Sequence, residues 1–246
     1  MPVFFVSPDC IVSPAISITG DLLIHLRDSL RIVVGEIVLF GDGTSHRYRT
    51  EITNVSKRAI TGHILDTVQE PPRRTPRLIL GQSLLKGEKM DWVIQKTVEL
   101  GVDELVPVES RHSIVQLRAD RIDAQLVRWQ RIALEAAQQS EQWHLSTIAP
   151  PQSLATLLKS RTPGTASLML AERLKGKRLQ TIELPQDVTG SLLILIGPEG
   201  GWSKEEMQMA EQAGIEQVTL GPHILRAETA AIATISILQS RLGQLG

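Results

Sequence analysis

The stretch Ser191–Ala210, SLLILIGPEGGWSKEEMQMA, decides how this chain is read. Leu192 to Ile196 form an uninterrupted apolar run with the length of a buried strand. The run stops at Gly197, passes through a proline and two further glycines, and reopens at Ser203 as a helix whose SKEE start has the form of a capping box. Strand, glycine loop and helix in this order build parallel α/β sheets, and the loop is where such folds hold nucleotide-like ligands.

Two familiar ligand loops do not fit. A dinucleotide loop of the G-x-G-x-x-G type needs glycine at 199, where the chain approaches a pyrophosphate, and Glu199 would repel that anion. A phosphate-binding Walker loop needs Lys and then Ser or Thr at the helix start, and here Trp202 and Ser203 follow the last glycine. What remains is a loop that accepts negative charge beside backbone N–H groups. Such a loop suits a ligand carrying positive charge and hydroxyls, such as the sulfonium S-adenosylmethionine. The same glycines also serve a plain turn, so this loop alone leaves the function open.

A second stretch, VTLGPHILRAETAA (Val218–Ala231), repeats the pattern of strand, Gly-Pro turn and helix. Loops of neighbouring βα units lie side by side at the carboxyl edge of a parallel sheet, so both are expected to build one site. Arg226, Glu228 and Thr229 enter the second helix and form, with Glu199, a candidate catalytic group.

The chain has 246 residues, 42% of them hydrophobic and 22% charged, enough for a substantial core in one large or two smaller domains. Twenty-six basic residues nearly cancel 27 acidic ones, so any nucleic-acid surface has to be a local patch. Cys10 is the sole cysteine, which excludes an internal disulfide framework and a cysteine-rich zinc site. The six histidines show no metal spacing, and no metal is expected. The first residues, MPVFFVSPDC, lack the pattern of a signal peptide, and no run approaches the ~20 apolar residues of a membrane span. A cytoplasmic protein is expected.

QEPPRRTP (Gln69–Pro76) is the clearest break, since its three prolines deny both helix and central strand. Before it, VFFV, EIVLF, YRTEIT and AITGHIL read as strands, with the Asp-Gly turn GDGTS (Gly41–Ser45) closing a hairpin. One helix interrupts them, with Leu22, Leu26 and Leu30 on one face. A small β-barrel or curled sheet over residues 1–70 is predicted. From residue 77 to 246 strands and helices alternate, which predicts a mostly parallel sheet covered by helices. The last helix carries Ala231, Ile235, Leu238 and Leu242 in a single apolar stripe.

At LIGPEGGWSKEE and LGPHILRAETAA the sequence closely resembles the signature loops of the RsmE family, methyltransferases acting on N3 of a uridine in 16S ribosomal RNA. The likeness extends through LLKGEKMDWVIQKTVELGVDELVPV (Leu84–Val108), RW and EAAQQS (Arg128–Ser140) and, more loosely, HLRDSLRIVVGE and LFGDGTSHRYRTEI. It implies an α/β fold of the SPOUT class with a C-terminal deep trefoil knot, a PUA-like RNA-binding barrel in front, S-adenosyl-L-methionine as methyl donor, and a homodimer with the site near the interface. Carried over by position, the donor site comprises Leu170, Ala171 and Glu172; Ile196, Gly197, Pro198, Gly200 and Gly201; and Leu220, Gly221, Ile224, Leu225, Arg226 and Thr229. The family usually continues EAAQQS with glycine, arginine, an apolar residue and proline. Glu141, Gln142 and Trp143 stand here instead, which leaves the role of that segment open.

Uracil N3 carries a proton at neutral pH and becomes a nucleophile when it is lost, so a base or an anion-stabilising cation is required. Arg226 is the expected anion stabiliser, and Glu199 or Glu228 the base. N3 lies on the Watson–Crick edge, so the target nucleotide has to be unpaired. Arg27, Arg31, Arg47, Arg49, Lys86 and Lys89 are candidate contacts to 16S rRNA or the small ribosomal subunit. Lys57, Arg58 and the linker residues Arg73, Arg74 and Arg77 add further basic groups. Two alternatives stay open: another SPOUT enzyme acting on ribose or transfer RNA, and a non-catalytic RNA-binding assembly factor.

Overall fold

The computed structural model describes residues 2–171, 177–185 and 188–246. The chain divides into two compact units: Met1–Pro72 with Ala137–Leu145, and Arg73–Ala136 with Ser146–Gly246. One boundary falls inside the proline-arginine linker. The return of residues 137–145 to the first unit has no counterpart in the sequence reading, which placed everything after residue 77 in one domain.

The first unit is a six-stranded sheet of β1 (Val3–Phe5), β2 (Ile11–Val12), β3 (Ala15–Ile18), β4 (Ile37–Gly41), β5 (His46–Val55) and β6 (Ile60–Gln69) in the order β1-β4-β5-β6-β3-β2. Only the β1–β4 pair is parallel. No ladder joins β1 to β2 among the described residues, so the sheet is curled and not a closed barrel. Two register shifts in the long β5–β6 hairpin, at Arg49/Thr50 and Ile52/Asn54, supply the extra twist that bends it. Phe4, Ile16, Ile18, Leu26, Phe40, Ile52 and Ile60 fill the concave side.

The predicted helix is α1 (Gly20–Ile24), and it widens into a π-turn over His25–Ser29 in which Leu30 N–H donates to His25 O at 3.1 Å. This extra residue per turn rotates the stripe. Leu26 is buried and Leu30 is exposed, correcting the single leucine face inferred from spacing.

The GDGTS turn closes the β4–β5 hairpin as predicted, organised by Asp42. Its Oδ1 accepts the backbone N–H groups of Thr44, Ser45 and His46 at 2.8, 2.9 and 3.0 Å. Burial opposes ionisation of Asp42, but these donors outweigh it and hold the carboxyl far below the ordinary carboxylate range.

The returning segment docks on the same unit. Gln138 Oε1 accepts from Phe5 N–H at 3.3 Å, His144 Nε2 meets Glu70 Oε2 at 2.5 Å, and the Arg47 guanidinium lies 3.8 Å from the centre of the Trp143 ring. Arg47 also donates to the Glu141 carbonyl.

In the second unit eight parallel strands form the sheet: β7 (Arg77–Ser83), β8 (Glu104–Glu109), β9 (Thr147–Ile148), β10 (Gln152–Ser153), β11 (Ala166–Leu170), β12 (Lys177–Arg178), β13 (Ser191–Ile196) and β14 (Glu216–Thr219). Their order is β10-β8-β7-β13-β11-β14-β12, with β9 also paired to β8. The LLILI run is β13, in the middle of the sheet, where both faces are covered; this is why no polar residue alternates through it. On one face lie α4 (Leu154–Ser160) and α5 (Lys204–Gln212), packed through Leu154, Leu157 and Ala210 against Leu193 and Leu195. Elsewhere in the unit α6 (Ala227–Arg241) packs on β13 and against α2 (Lys89–Glu99). The helix α3 (Ile122–Gln139) belongs to this unit up to Ala136, and its last turn belongs to the first unit.

Ala231, Ile235 and Leu238 of α6 are fully buried within the chain, so these three positions of the stripe are core, while Leu242, the fourth, is half-buried just past the helix end.

Asp42→Ala strands three turn donors, and the unfolding free energy at pH 7 is expected to fall by about 1–3 kcal/mol. Because the folded-state pKa is depressed, the wild-type advantage is complete above the ordinary value of 3.8 and shrinks as pH falls below it. Urea titrations of both proteins at pH 7 and pH 3 measure this.

Candidate active site

Strands β13, β11 and β14 are consecutive neighbours in the sheet, so their carboxyl ends open side by side. The loops that follow enclose a cavity of about 610 Å³, within the ~300–1,000 Å³ typical of small-molecule sites. Of the residues expected to hold a methyl donor, Leu170, Ala171, Ile196, Gly197, Pro198, Gly200, Gly201, Leu220, Gly221, Ile224 and Leu225 line it, together with Glu199. Glu172 lies outside the described residues. Arg226, Glu228 and Thr229 are not part of the lining. Pro222, His223 and Ala227, inside the expected third loop of Leu220–Thr229, also line it, and sequence reasoning missed Trp202, Met207, Thr219 and Ala230, which complete the wall.

The glycine loop is fixed by three neighbours. Trp202 Nε1–H donates to Leu170 O at 3.1 Å, which ties the loop after β13 to the end of β11, and its ring lies so close to Gly197 that a Cβ there would sit 3.2 Å from Nε1. The capping box at Ser203 is present as predicted, with Ser203 Oγ accepting Glu206 N–H at 3.2 Å and Glu206 Oε2 accepting Ser203 N–H at 2.8 Å. The other oxygen of this buried carboxylate accepts Arg111 N–H at 2.9 Å, so one side chain serves both the helix start and the loop after β8. That loop presses on Gly200, where a Cβ would come within 2.9 Å of His112 Cβ. His112 Nδ1 is 3.1 Å from Gly201 O.

Charge gathers at one wall. Lys89 Nζ, at the start of α2, donates to Glu199 Oε1 at 2.8 Å and stands 3.9 Å from Glu228 Oε2. Burial opposes ionisation of Glu199. The Lys89 ammonium and the backbone N–H groups of Glu199 and Lys86 overcome it and place the carboxyl below the ordinary carboxylate range. The same hydrogen bond raises Lys89 against the pull of desolvation. Glu228 Oε2 is buried and has no hydrogen bond among the described residues. Arg226 is the N-cap residue of α6; it is exposed and has no ion pair among the described residues.

The basic residues proposed for RNA divide in two. Arg31, Arg49 and Lys86 are exposed. Arg27 forks onto Asp28 at 2.6 and 2.7 Å, Arg47 is stacked on Trp143, Lys89 is paired as described, and Arg73 is held bidentate by Asp103 at 2.7 and 2.6 Å. No group of three or more His, Cys, Asp or Glu side chains with metal-site geometry exists among the described residues, and no described helix is long and apolar enough to cross a membrane.

This fold and this loop cavity correspond to a known class. A family model described as the RNA methyltransferase domain matches residues 72–239, and one described as the RNA methyltransferase PUA domain matches residues 18–65. Ribosomal RNA small subunit methyltransferase E of Bacillus subtilis is 29% identical over 232 residues, covering 92% of this chain and 90% of that protein. Its namesake from Aquifex aeolicus is 30% identical and covers 78% of this chain and 81% of that one. The crystal structure of ribosomal RNA small subunit methyltransferase E from Neisseria gonorrhoeae, bound to S-adenosyl methionine, superposes with a TM-score of 0.88 at 30% identity over 98% of each chain. The chain belongs to the ribosomal RNA small subunit methyltransferase E family.

A side chain at 200 has to push the loop after β13 away from the loop after β8. Gly200→Ala is expected to lower stability by about 1–3 kcal/mol, read as a reduced melting temperature, whereas substitution of the exposed Lys204 leaves it unchanged.

Proposed function

We propose that this chain transfers a methyl group from S-adenosyl-L-methionine to N3 of a uridine in the 16S rRNA of the small ribosomal subunit. The observation that carries this reading is the cavity at the ends of β11, β13 and β14, in a chain whose Neisseria relative binds S-adenosyl methionine. The residues present fit that donor. The cavity is of small-molecule size, much of its wall is glycine-loop main chain that can accept and donate hydrogen bonds, and its ionised side chain, Glu199, suits a cationic ligand.

The main chain of 170–171, 196–201 and 220–225 would hold the donor, which supplies an electrophilic methyl group when bound. The protein's own task is then to orient the uracil, exclude water and manage one proton. Arg226, exposed at the start of α6 and without an ion pair among the described residues, stabilises the negative charge that develops on the uracil oxygens. Glu228 is the better base of the two acids. Its Oε2 has no hydrogen bond, whereas Glu199 Oε1 is committed to Lys89.

The first unit, with Arg31 and Arg49 exposed, contacts the RNA. The family resemblance further implies a cytoplasmic homodimer and a chain threaded as a trefoil. The insertion of β13 between β7 and β11, with β14 on the far side of β11, is compatible with that threading.

Incubation with methyl-labelled donor and small subunits lacking the modification is expected to label one uridine at N3. Label on ribose, or none, refutes the assignment. In the same assay Arg226→Ala and Glu228→Gln are each expected to lower turnover about 100-fold at saturating donor and RNA. Reversing Arg31 and Arg49 to Glu is expected to reduce the slope of log K against log salt for RNA binding by roughly one per residue, measured by filter binding.

A further inference from the structure

Lys89 was expected among the RNA contacts, and its position argues otherwise. Its ammonium donates to Glu199 Oε1 at 2.8 Å, and Glu228 Oε2 faces it at 3.9 Å. Glu199 lines the cavity, Glu228 lies in the first turn of α6, and Lys89 opens α2. One cation therefore links the loop after β13 to two helices that pack against each other. The backbone N–H of Lys86, in the short segment between β7 and α2, gives Glu199 a further hydrogen bond. Arg226 is the other charged group near Lys89, and its like charge works against protonated Lys89.

The arrangement is poorly suited to phosphate. A lysine that reads RNA keeps its ammonium free in solvent, where it releases counterions on binding. Lys89 has only 36% of its side chain exposed and already has two carboxylate neighbours. Moving it onto a phosphate would leave Glu199 in the cavity wall without its cation and would take away the positive charge that faces the buried Glu228 Oε2 at 3.9 Å. The cost of an unpaired, partly buried carboxylate exceeds what one exposed phosphate contact returns.

We propose that Lys89 is a positioning residue of the donor cavity: with the Glu228 carboxylate facing it, it fixes the Glu199 carboxylate in the cavity wall and makes no contact to RNA phosphate. This rests on the methyl-donor reading for the identity of the ligand, while the latch itself is a property of the protein alone. Glu199 presents a fixed negative group to a cationic ligand, and the loop that carries it is held in the shape the ligand needs before binding.

Three measurements on the full chain test it. In NMR titrations of carboxyl-labelled glutamate, with Glu199 assigned through Glu199→Gln, Lys89→Met is expected to raise the Glu199 midpoint toward the ordinary carboxylate value, and Lys89→Arg to keep it low. In calorimetry Lys89→Met is expected to weaken S-adenosylmethionine binding about three- to fivefold, and to add nothing in the Glu199→Gln background. In filter binding the RNA salt slope is expected to stay at the wild-type value. An unmoved Glu199 midpoint overturns the proposal, as does a salt slope reduced by about one with donor affinity unchanged. Lys89→Gln serves the same comparisons if the methionine variant does not fold. Wild-type protein that binds no donor refutes the functional reading, and the titration still decides whether the latch exists.

Discussion

The position of β13 governs the site. A strand that takes the central place in a parallel sheet has to be apolar on both faces, and its chain can leave only at the sheet's edge, between the ends of its neighbours. Ile196 is therefore followed at once by a turn, and the turn arrives beside the ends of β11 and β14. The cavity is the gap that three such exits leave when they cannot all close over the sheet. It is braced by one side chain of its own wall, Trp202, and by one outside that wall, Glu206. Trp202 reaches Leu170, and Glu206 holds the loop after β8.

The electrostatics follow from the same arrangement. Besides α5, which the glycine loop itself leads into, α2 and α6 start near that loop, and both bring charge within reach of Glu199. An isolated carboxylate in a partly buried wall would tend to take up a proton. With an ammonium at 2.8 Å and backbone donors around it, Glu199 keeps its charge, while the neighbouring Glu228 keeps an oxygen open. Two acids of the same type thereby stand in different surroundings, one bonded to an ammonium and one with a buried oxygen left open among the described residues.

The sequence made the second unit legible because its elements are long and strongly patterned. LLILI can only be a covered strand, and SKEEMQMA and ETAAIATISILQSRL carry helical periods with clear starts. The glycine loops and the family likeness located most of the cavity lining. Elements of two residues, such as β2, β9, β10 and β12, leave no period to read, and the π-turn at His25–Ser29 breaks a spacing that otherwise looked regular. Trp202 stood next to the glycine pair and was passed over, although its one N–H donor beside a turn is a signal. Lys89 and Glu199 are 110 residues apart, and nothing local marks them as partners. The neighbours that a cation finds in the fold, Glu199 for Lys89 and Trp143 for Arg47, are not visible in the local sequence.

The return of residues 137–145 to the first unit changes what it means for that unit to come first in the chain. Its sheet is encoded before residue 72, yet the glutamine that bonds Phe5 and the indole under Arg47 lie beyond the start of the second unit. During synthesis the sheet emerges early with those positions uncovered, and it is completed only when α3 and the turn after it have left the ribosome. The last part of the first unit to be finished is thus made after β7, β8 and their helix. Order of synthesis and order of completion differ, and neither unit can be exchanged between proteins by one cut and one join.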